Sequence, residues 1–307
     1  MNEEIKQKFC QEFGDKRVLL EEPMKRHTTF RIGGPAEIFV IPDNIEDVRK
    51  IIEICNAEDI PYFILGNGSN LLVSDKGYRG VVIQIDRNFG TVEIKGTEIH
   101  ASAGALLSAI AAAARKEALT GFEFAGGIPG TLGGAVVMNA GAYGGELKDV
   151  LKSVTVMDQK GNIFEIPAEE LQMGYRTSII KTAGYIVLNA VLSLKEGNPE
   201  EIKKLTRELS EQRISKQPLE YPSAGSTFKR PEGYFAGKLI MDSGLRGYQV
   251  GGAQVSEKHC GFVINTGDAT AEDVCSLMKN VIEIVHEKFG VTLEPEVKFL
   301  GEQVYFY

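Results

Sequence analysis

The feature that most constrains this chain is a glycine-dense run, FAGGIPGTLGGAVVMNAGAYGGE, at residues 124–146. Apolar residues such as Ile128, Leu132 and Val136 lie between its glycines, which a solvated linker does not need. Glycine lacks a Cβ atom, adopts positive φ at low cost and leaves its N–H group accessible to a bound molecule. The run therefore predicts bare main chain held against a large, flat ligand inside a packed protein.

A second glycine-containing loop, LGNGSNLL, lies upstream at residues 65–72. It follows Tyr62–Leu65, a short apolar run that predicts a buried strand. Successive N–H groups in such a turn form a concave seat for an anion, and Asn67, Ser69 and Asn70 add polar side chains. Two loops suited to phosphate favour a bound dinucleotide; the alternative for each loop is a plain tight turn.

Neither loop matches the two best-known phosphate-binding motifs. A Rossmann fingerprint needs GxGxxG between a strand and a helix. Gly66 and Gly68 lack the third glycine, and Leu71–Val73, which follows, is strand-like. No Gly-Lys-Ser/Thr follows either loop, which excludes a Walker-type P-loop. A phosphate seat in this chain therefore needs another arrangement of main-chain amides.

Composition restricts the classes of function. The 307 residues carry a net charge of −8, which argues against non-specific binding to nucleic acid or membrane surfaces, although a local basic cluster can reverse the sign inside a cleft. No apolar run approaches the roughly 20 residues of a membrane span. The four cysteines show no CxxC pairing and the four histidines no metal-ligand spacing. We expect a cytoplasmic protein with reduced thiols, no metal and no membrane insertion.

Hydrophobic periodicity predicts an α+β architecture. Asn44 precedes an amphipathic helix with apolar Val48, Ile51, Ile52 and Cys55, and Pro199 begins a polar helix that we interpret as a link between a cofactor half and a smaller C-terminal half. Further helices are predicted at 105–118 and 271–289, and further strands at 81–85, 92–94, 98–101, 153–157, 163–166, 185–194, 260–265 and 293–299.

Several motifs together resemble a known family. LGNGSN (65–70) and GGIPGTLGG (126–134) are similar to the flavin-binding fold of vanillyl-alcohol-oxidase (PCMH) type. MNAGAYG (138–144), GYRTS (174–178) and SAGSTFKRP (223–231) narrow the resemblance to the UDP-N-acetylenolpyruvoylglucosamine reductases, also called UDP-N-acetylmuramate dehydrogenases. The resemblance extends from His27 to Val297, with the motifs in the family's order.

The resemblance implies non-covalent FAD and NADPH as the source of hydride. It also implies two FAD-binding subdomains at 1–85 and 86–197 and an α+β substrate domain at 198–307, with the C-terminal strand 297–307 returning to the first subdomain. The implied FAD-binding residues are Leu65, Gly66, Asn67, Gly68, Ser69, Asn70, Gly126, Gly127, Ile128, Pro129, Gly130, Thr131, Gly133, Gly134, Asn139, Gly141, Ala142 and Tyr143.

The implied reaction carries hydride from NADPH to N5 of FAD and then to the enolpyruvyl group of UDP-N-acetylenolpyruvoylglucosamine, which yields UDP-N-acetylmuramate for bacterial peptidoglycan. Negative charge then develops on the α-carbon and its carboxylate. Arg176 suits the stabilisation of that charge, and Glu296 can help only if it is protonated. Ser226 is the implied donor of the proton to carbon.

Substrate contacts are implied for Tyr175 and Arg176, and the basic residues Lys229 and Lys238 suggest a seat for the UDP diphosphate. Taken alone, Arg176, Ser226, Glu296 and the two lysines would be ordinary surface or loop residues. The short separation of Arg176 from Ser226 favours the shorter of the family's two variants, which lacks a tyrosine-bearing loop over the substrate.

Two other functions stay open on sequence grounds. One is an oxidase or dehydrogenase of small alcohols on the same flavin fold, in which FAD is often tethered to histidine or tyrosine. The other is a regulatory nucleotide-binding module without chemistry. We expect a monomer that binds small molecules and no nucleic acid.

Overall fold

The computed structural model of this protein describes residues 1–302. Nineteen strands, β1–β19, and eight α-helices, α1–α8, occur in this part of the chain. The helices are α1 (Glu3–Phe13), α2 (Ile45–Ala57), α3 (Leu107–Lys116), α4 (Leu132–Met138), α5 (Ile179–Ala183), α6 (Pro199–Lys216), α7 (Ala236–Asp242) and α8 (Ala271–Phe289).

The first sheet has the strand order β1-β2-β5-β3 and mixes antiparallel and parallel pairs. Helix α2 packs on it through the predicted apolar face, and Asn44 caps this helix by accepting a hydrogen bond from the Asp47 N–H at 2.9 Å. Its strands are β1 (Val18–Pro23), β2 (Pro35–Val40), β3 (Tyr62–Leu65) and β5 (Tyr78–Gln84).

The second sheet is antiparallel, with the order β12-β11-β13-β7-β6. Helices α3 and α4 share a hydrophobic core with it. The sequence did not predict α4, since it lies inside the glycine-dense run and Gly133 and Gly134 are poor helix formers. The strands are β6 (Val92–Lys95), β7 (Glu98–Ser102), β11 (Leu151–Met157), β12 (Ile163–Pro167) and β13 (Ile186–Ser193).

The third sheet, β15-β18-β17-β16, packs against α7 and α8. Thr270 and Asp273 form a capping box at the start of α8, and Gly290 ends that helix in the left-handed conformation. The strands are β15 (Ser223–Ser226), β16 (Gln249–Val250), β17 (Ala253–Val255) and β18 (Phe262–Asn265).

Three short pairs complete the fold, and one joins distant parts of the chain. In it, β4 (Leu71–Val73) pairs in parallel with β19 (Lys298–Leu300). The other two pairs are β9 (Gly141–Ala142) with β10 (Gly145–Glu146), and β8 (Leu119–Thr120) with β14 (Lys195–Glu196).

The predicted strand at 293–299 is only partly correct. Residues 293–297 form no regular strand and make only an isolated bridge between Phe228 and Pro295, because Pro295 lacks the N–H that would extend a ladder. The strand begins at Lys298. Residues 303–307, the end of the predicted C-terminal strand 297–307, lie outside the described residues.

Candidate active site

A cavity of about 1460 Å³ receives residues from all three sheets and from both glycine-containing loops. Six lysines and arginines but only two glutamates line it, so its wall is cationic in a protein of net negative charge. A cavity of this charge is suited to anionic small molecules. No helix in residues 1–302 is long and apolar enough to span a membrane, and these residues contain no cluster suited to a metal ion.

The first loop, residues 66–70, leaves β3 with its main chain facing the cavity. The N–H groups of residues 67–70 donate no hydrogen bond to any residue in 1–302. Gly68 has φ of +60°, and an added Cβ atom would lie 2.1 Å from the His27 carbonyl oxygen. The loop therefore presents a row of unpaired donors, which is the arrangement of an anion nest.

The second loop, residues 126–134, adjoins the first. Asn67 Nδ2 donates to the Pro129 carbonyl at 2.7 Å, and a Cβ atom on Gly66 would lie 2.3 Å from Thr131 Oγ1. In contrast, Cβ atoms on Gly130 and Gly134 would approach no protein atom closer than 3.7 Å. These two glycines line the cavity, so added side chains there would project into the space for a ligand.

Most of the predicted FAD-binding residues line the cavity, and three do not. A Cβ atom on Gly126 would lie 3.4 Å from Ala111 Cβ, and one on Gly133 would lie 3.1 Å from Ala103 Cβ, so both glycines face neighbouring elements. Asn139 is fully buried. Its side-chain amide donates to Glu146 Oε2 and to the Gly174 carbonyl, which fixes the turn that carries Arg176.

Three sequence-distant residues lie in another part of the cavity lining. Arg176 Nε donates to Glu296 Oε1 at 2.6 Å, and both side chains are largely buried. Arg176 lies in a tight turn at φ of +56°. Ser226 ends β15, is exposed to the cavity, and is adjacent to Thr227, whose carbonyl accepts from the Glu296 N–H at 2.8 Å. The structure thus brings Arg176, Ser226 and Glu296 to one cavity.

Glu296 is also connected to the first loop. Asn70 Nδ2 donates to the Glu296 carbonyl at 3.3 Å, and the Lys298 N–H donates to the Asn70 carbonyl at 2.9 Å. We call residues 66–70 and 126–134 the main-chain wall, and Arg176, Ser226, Glu296 and Lys298 the charged wall. These bonds hold the two walls together. The relative position of the two walls is therefore set by direct hydrogen bonds.

The remaining predicted substrate residues lie outside the lining of the cavity. The Lys229 ammonium pairs with Glu294 at 2.8 Å, and the Lys238 ammonium pairs with Asp242 of the same helix at 2.8 Å. The Tyr175 ring is half exposed, with the Arg176 guanidinium carbon 5.0 Å from its centroid.

Sequence reasoning missed five of the six lysines and arginines that line the cavity: Arg26, Arg31, Lys181, Arg213 and Lys298. Arg26 lies 3.5 Å from the Glu22 carboxylate, and the other four have no carboxylate within 4.0 Å among residues 1–302. Burial, with the neighbouring Lys181 and Lys229 ammoniums, lowers the pKa of Lys298 from its ordinary value. Lys298 could have been predicted from the sequence. It lies two residues after the candidate Glu296, and residues two apart in an extended segment share a face. No such signal marked Arg213, which lies in a polar helix.

Two family models match the chain. Residues 36–167 match the FAD binding domain, and residues 217–300 match the C-terminal domain of UDP-N-acetylenolpyruvoylglucosamine reductase. The first match covers both glycine-containing loops and the second covers Ser226 and Glu296.

Individual proteins are similar over nearly the whole chain. UDP-N-acetylenolpyruvoylglucosamine reductase of Lachnoclostridium phytofermentans is 56% identical, covering 99% of each chain, and that of Clostridioides difficile is 57% identical, covering 93% of this chain and 94% of its own. The crystal structure of the enzyme from Thermus caldophilus superposes with a TM-score of 0.80 at 38% identity, covering 92% of this chain and 98% of its own. The predicted fold class and the FAD cofactor are confirmed by these matches.

Proposed function

The chain belongs to the UDP-N-acetylenolpyruvoylglucosamine reductase family, and from that premise we propose that it reduces UDP-N-acetylenolpyruvoylglucosamine to UDP-N-acetylmuramate with NADPH as reductant. It is an FAD-dependent oxidoreductase. The reaction supplies the muramic acid sugar of peptidoglycan precursors, and we propose that a monomer performs it in the cytoplasm.

The cavity fits the cofactor. Four unpaired N–H groups at residues 67–70 suit a diphosphate, and the open space above Gly130 and Gly134 suits the flat and extended parts of a flavin dinucleotide. We propose that residues 1–85 and 86–197 hold FAD and that residues 198–307 hold the sugar nucleotide. The first, second and third sheets fall within these three segments in turn, apart from the β4–β19 pair. When bound, FAD supplies hydride transfer between NADPH and the vinyl carbon of the substrate.

Arg176 is proposed to bind the substrate carboxylate. Its Nε already donates to Glu296, while Nη2 makes only a 3.5 Å contact with the Gly141 carbonyl. The terminal nitrogens are therefore left to grip a carboxylate, and their hold strengthens as negative charge develops there. Because Glu296 fixes Nε, the guanidinium plane is oriented before the substrate arrives.

Ser226 is proposed to protonate the α-carbon, and Glu296 is proposed to assist by orienting Arg176. The hydroxyl of Ser226 faces the cavity at the end of β15, and the Thr227–Glu296 hydrogen bond holds its segment beside the carboxyl group. A neutral hydroxyl is a weak acid, so the basicity of the carbanion must drive the transfer. The observation that carries this proposal is the 2.6 Å Arg176–Glu296 pair, which lines the same cavity as Ser226 and the glycine loops.

Separate measurement of the two half-reactions tests this assignment. Ser226→Ala should leave flavin reduction by NADPH nearly unchanged and should slow flavin reoxidation by the enolpyruvyl sugar about 10³-fold, since a positioned acid contributes roughly 10²–10⁴-fold. Ser223→Ala, on the same strand and also lining the cavity, is the matched control and should change neither rate by more than about twofold. Equal damage to both half-reactions by Ser226→Ala would refute the proton-donor role.

A further inference from the structure

Arg213 is a cavity-lining cation that neither family model covers. It lies near the C-terminal end of α6, between the matched segments 36–167 and 217–300. The helix is polar and mostly exposed, and it packs on α3 and on the turn that precedes Gly126. The sequence favoured a link between domains for this helix, which gave no reason to single out one of its arginines.

The guanidinium of Arg213 is half-buried, and it neither meets a carboxylate within 4.0 Å nor donates a hydrogen bond within residues 1–302. Burial lowers its pKa, yet a guanidinium stays charged at any physiological pH. Arg207, six residues earlier on α6, is exposed and pairs with Glu211 at 3.7 Å. A desolvated cation with five unused donors is costly unless an anion comes to it.

Gly127 fixes where that anion would lie. A Cβ atom on Gly127 would lie 2.9 Å from Arg213 Nη1 and 3.1 Å from Cδ, so the glycine is what allows the side chain to rest against the second loop. The Gly127 N–H donates no hydrogen bond within residues 1–302. Arg213 and Gly127 thus present unused donors at one place on the cavity wall.

The neighbours of Arg213 indicate which ligand it meets. Phe124, Gly127 and Tyr143 line the same part of the cavity, and all three lie within the segment matched to the FAD binding domain. The anionic part of FAD is its diphosphate. We propose that Arg213 binds the diphosphate of FAD against Gly127, so that α6 closes over the cofactor from outside the FAD-binding segment.

This inference rests on the FAD cofactor and is independent of the proposed substrate. Release of FAD from the purified holoenzyme, followed as the rise of free-flavin fluorescence after dilution, tests it without turnover. Arg213→Met should release FAD about 10–100-fold faster, because a charge-assisted pair to phosphate is removed. Arg213→Lys keeps the charge but loses the two-pronged guanidinium. Its rate of FAD release should lie between those of the parent and Arg213→Met.

Two controls distinguish the loss of the Arg213 charge from a general disturbance of helix α6. Arg207→Met removes an exposed arginine of the same helix and should leave the release rate within about twofold of the parent. Raising the salt concentration should speed release from the parent more than from Arg213→Met, because the missing ion pair is the one that salt screens.

The diphosphate of UDP is the competing source of an anion, and a second measurement distinguishes it. Titration of the holoenzymes with UDP, followed by the change in flavin absorbance, should give the same affinity in Arg213→Met and the parent. Unchanged FAD release together with weakened UDP binding would overturn the proposal and assign Arg213 to the sugar nucleotide. Unchanged release and unchanged UDP binding would overturn it as well.

Discussion

The two walls of the cavity are constructed differently. The main-chain wall, residues 66–70 and 126–134, comes from two short segments and offers N–H groups and bare glycines. The charged wall gathers Arg176, Ser226, Glu296 and Lys298 from three separate regions and offers side chains. Binding of a ligand by main chain therefore depends on local conformation, whereas the placement of the reactive side chains depends on tertiary packing.

The largest effect should come from the charged wall. Arg176→Lys keeps the charge but loses the two-pronged grip, and we expect flavin reoxidation by the enolpyruvyl sugar to slow about 10²–10³-fold. FAD content should stay at the parent value, because the main-chain wall is intact. Stopped-flow absorbance of the flavin measures the rate.

Arg230→Met is the control for that variant, since the Arg230 side chain stacks on Phe235 outside the lining of the cavity. It should change the rate by less than about threefold. Loss of FAD from Arg176→Lys would mean that the charged wall also contributes to holding the cofactor.

The next effect should come from the main-chain wall. Gly68→Ala forces a side chain to positive φ, at a cost of about 1–2 kcal/mol, and also drives its Cβ atom towards the His27 carbonyl. We expect FAD release to accelerate at least about tenfold, with a lower melting temperature. Fluorescence of free flavin and thermal unfolding are the measurements.

Gly96→Ala is a close match, because Gly96 has φ of +63° and nothing within 4 Å of an added Cβ atom. It should lower the melting temperature slightly and leave FAD release unchanged. If both variants released FAD alike, the close contact with His27 would be irrelevant to the cofactor.

A smaller effect should appear in the pH dependence of ligand binding. Because the pKa of Lys298 is lowered, its ammonium loses its charge at a lower pH than an ordinary lysine does. The groups that influence it are Lys181, Lys229 and Glu296. As pH rises through that lowered pKa, affinity for the anionic UDP-sugar should fall about 3–10-fold.

In Lys298→Met, the affinity for the UDP-sugar should no longer fall as pH rises through this range. It should equal the weaker, high-pH affinity of the parent at every pH. Flavin absorbance changes during titration with the UDP-sugar between pH 7 and pH 10 measure this. A profile in Lys298→Met identical to that of the parent would exclude Lys298 as its origin.

The smallest effects should come from the two lysines that the sequence assigns to the UDP diphosphate. Lys229 and Lys238 each already pair with a carboxylate, outside the lining of the cavity. We expect Lys229→Met and Lys238→Met to weaken UDP binding by less than about threefold. A tenfold loss in either variant would show that the lysine leaves its carboxylate for the diphosphate.

The main-chain wall could be predicted from the sequence more directly than the charged wall. Gly66–Asn70 and the run around Gly130 were recognisable because their residues are neighbours along the chain. The helices α2 and α8 were predictable for the same reason, since caps and apolar spacing are local.

Tertiary features were harder to predict. Arg176, Ser226 and Glu296 were identified through a resemblance, and nothing in their spacing predicts that they meet. Arg213 faces the cavity only because α6 packs on α3, and Lys181 meets Lys298 only because β19 pairs with β4. Helix α4 was missed because tertiary packing outweighs the poor propensity of its glycines.

The β4–β19 pair has a consequence for biosynthesis. The Asn70 carbonyl receives its hydrogen bond from Lys298, and the Ser74 N–H donates to Leu300. Until residues 298–300 have been translated, the loop that follows β3 lacks its neighbouring strand. We therefore expect the polypeptide to bind FAD, and so to become yellow, only after it has been released from the ribosome.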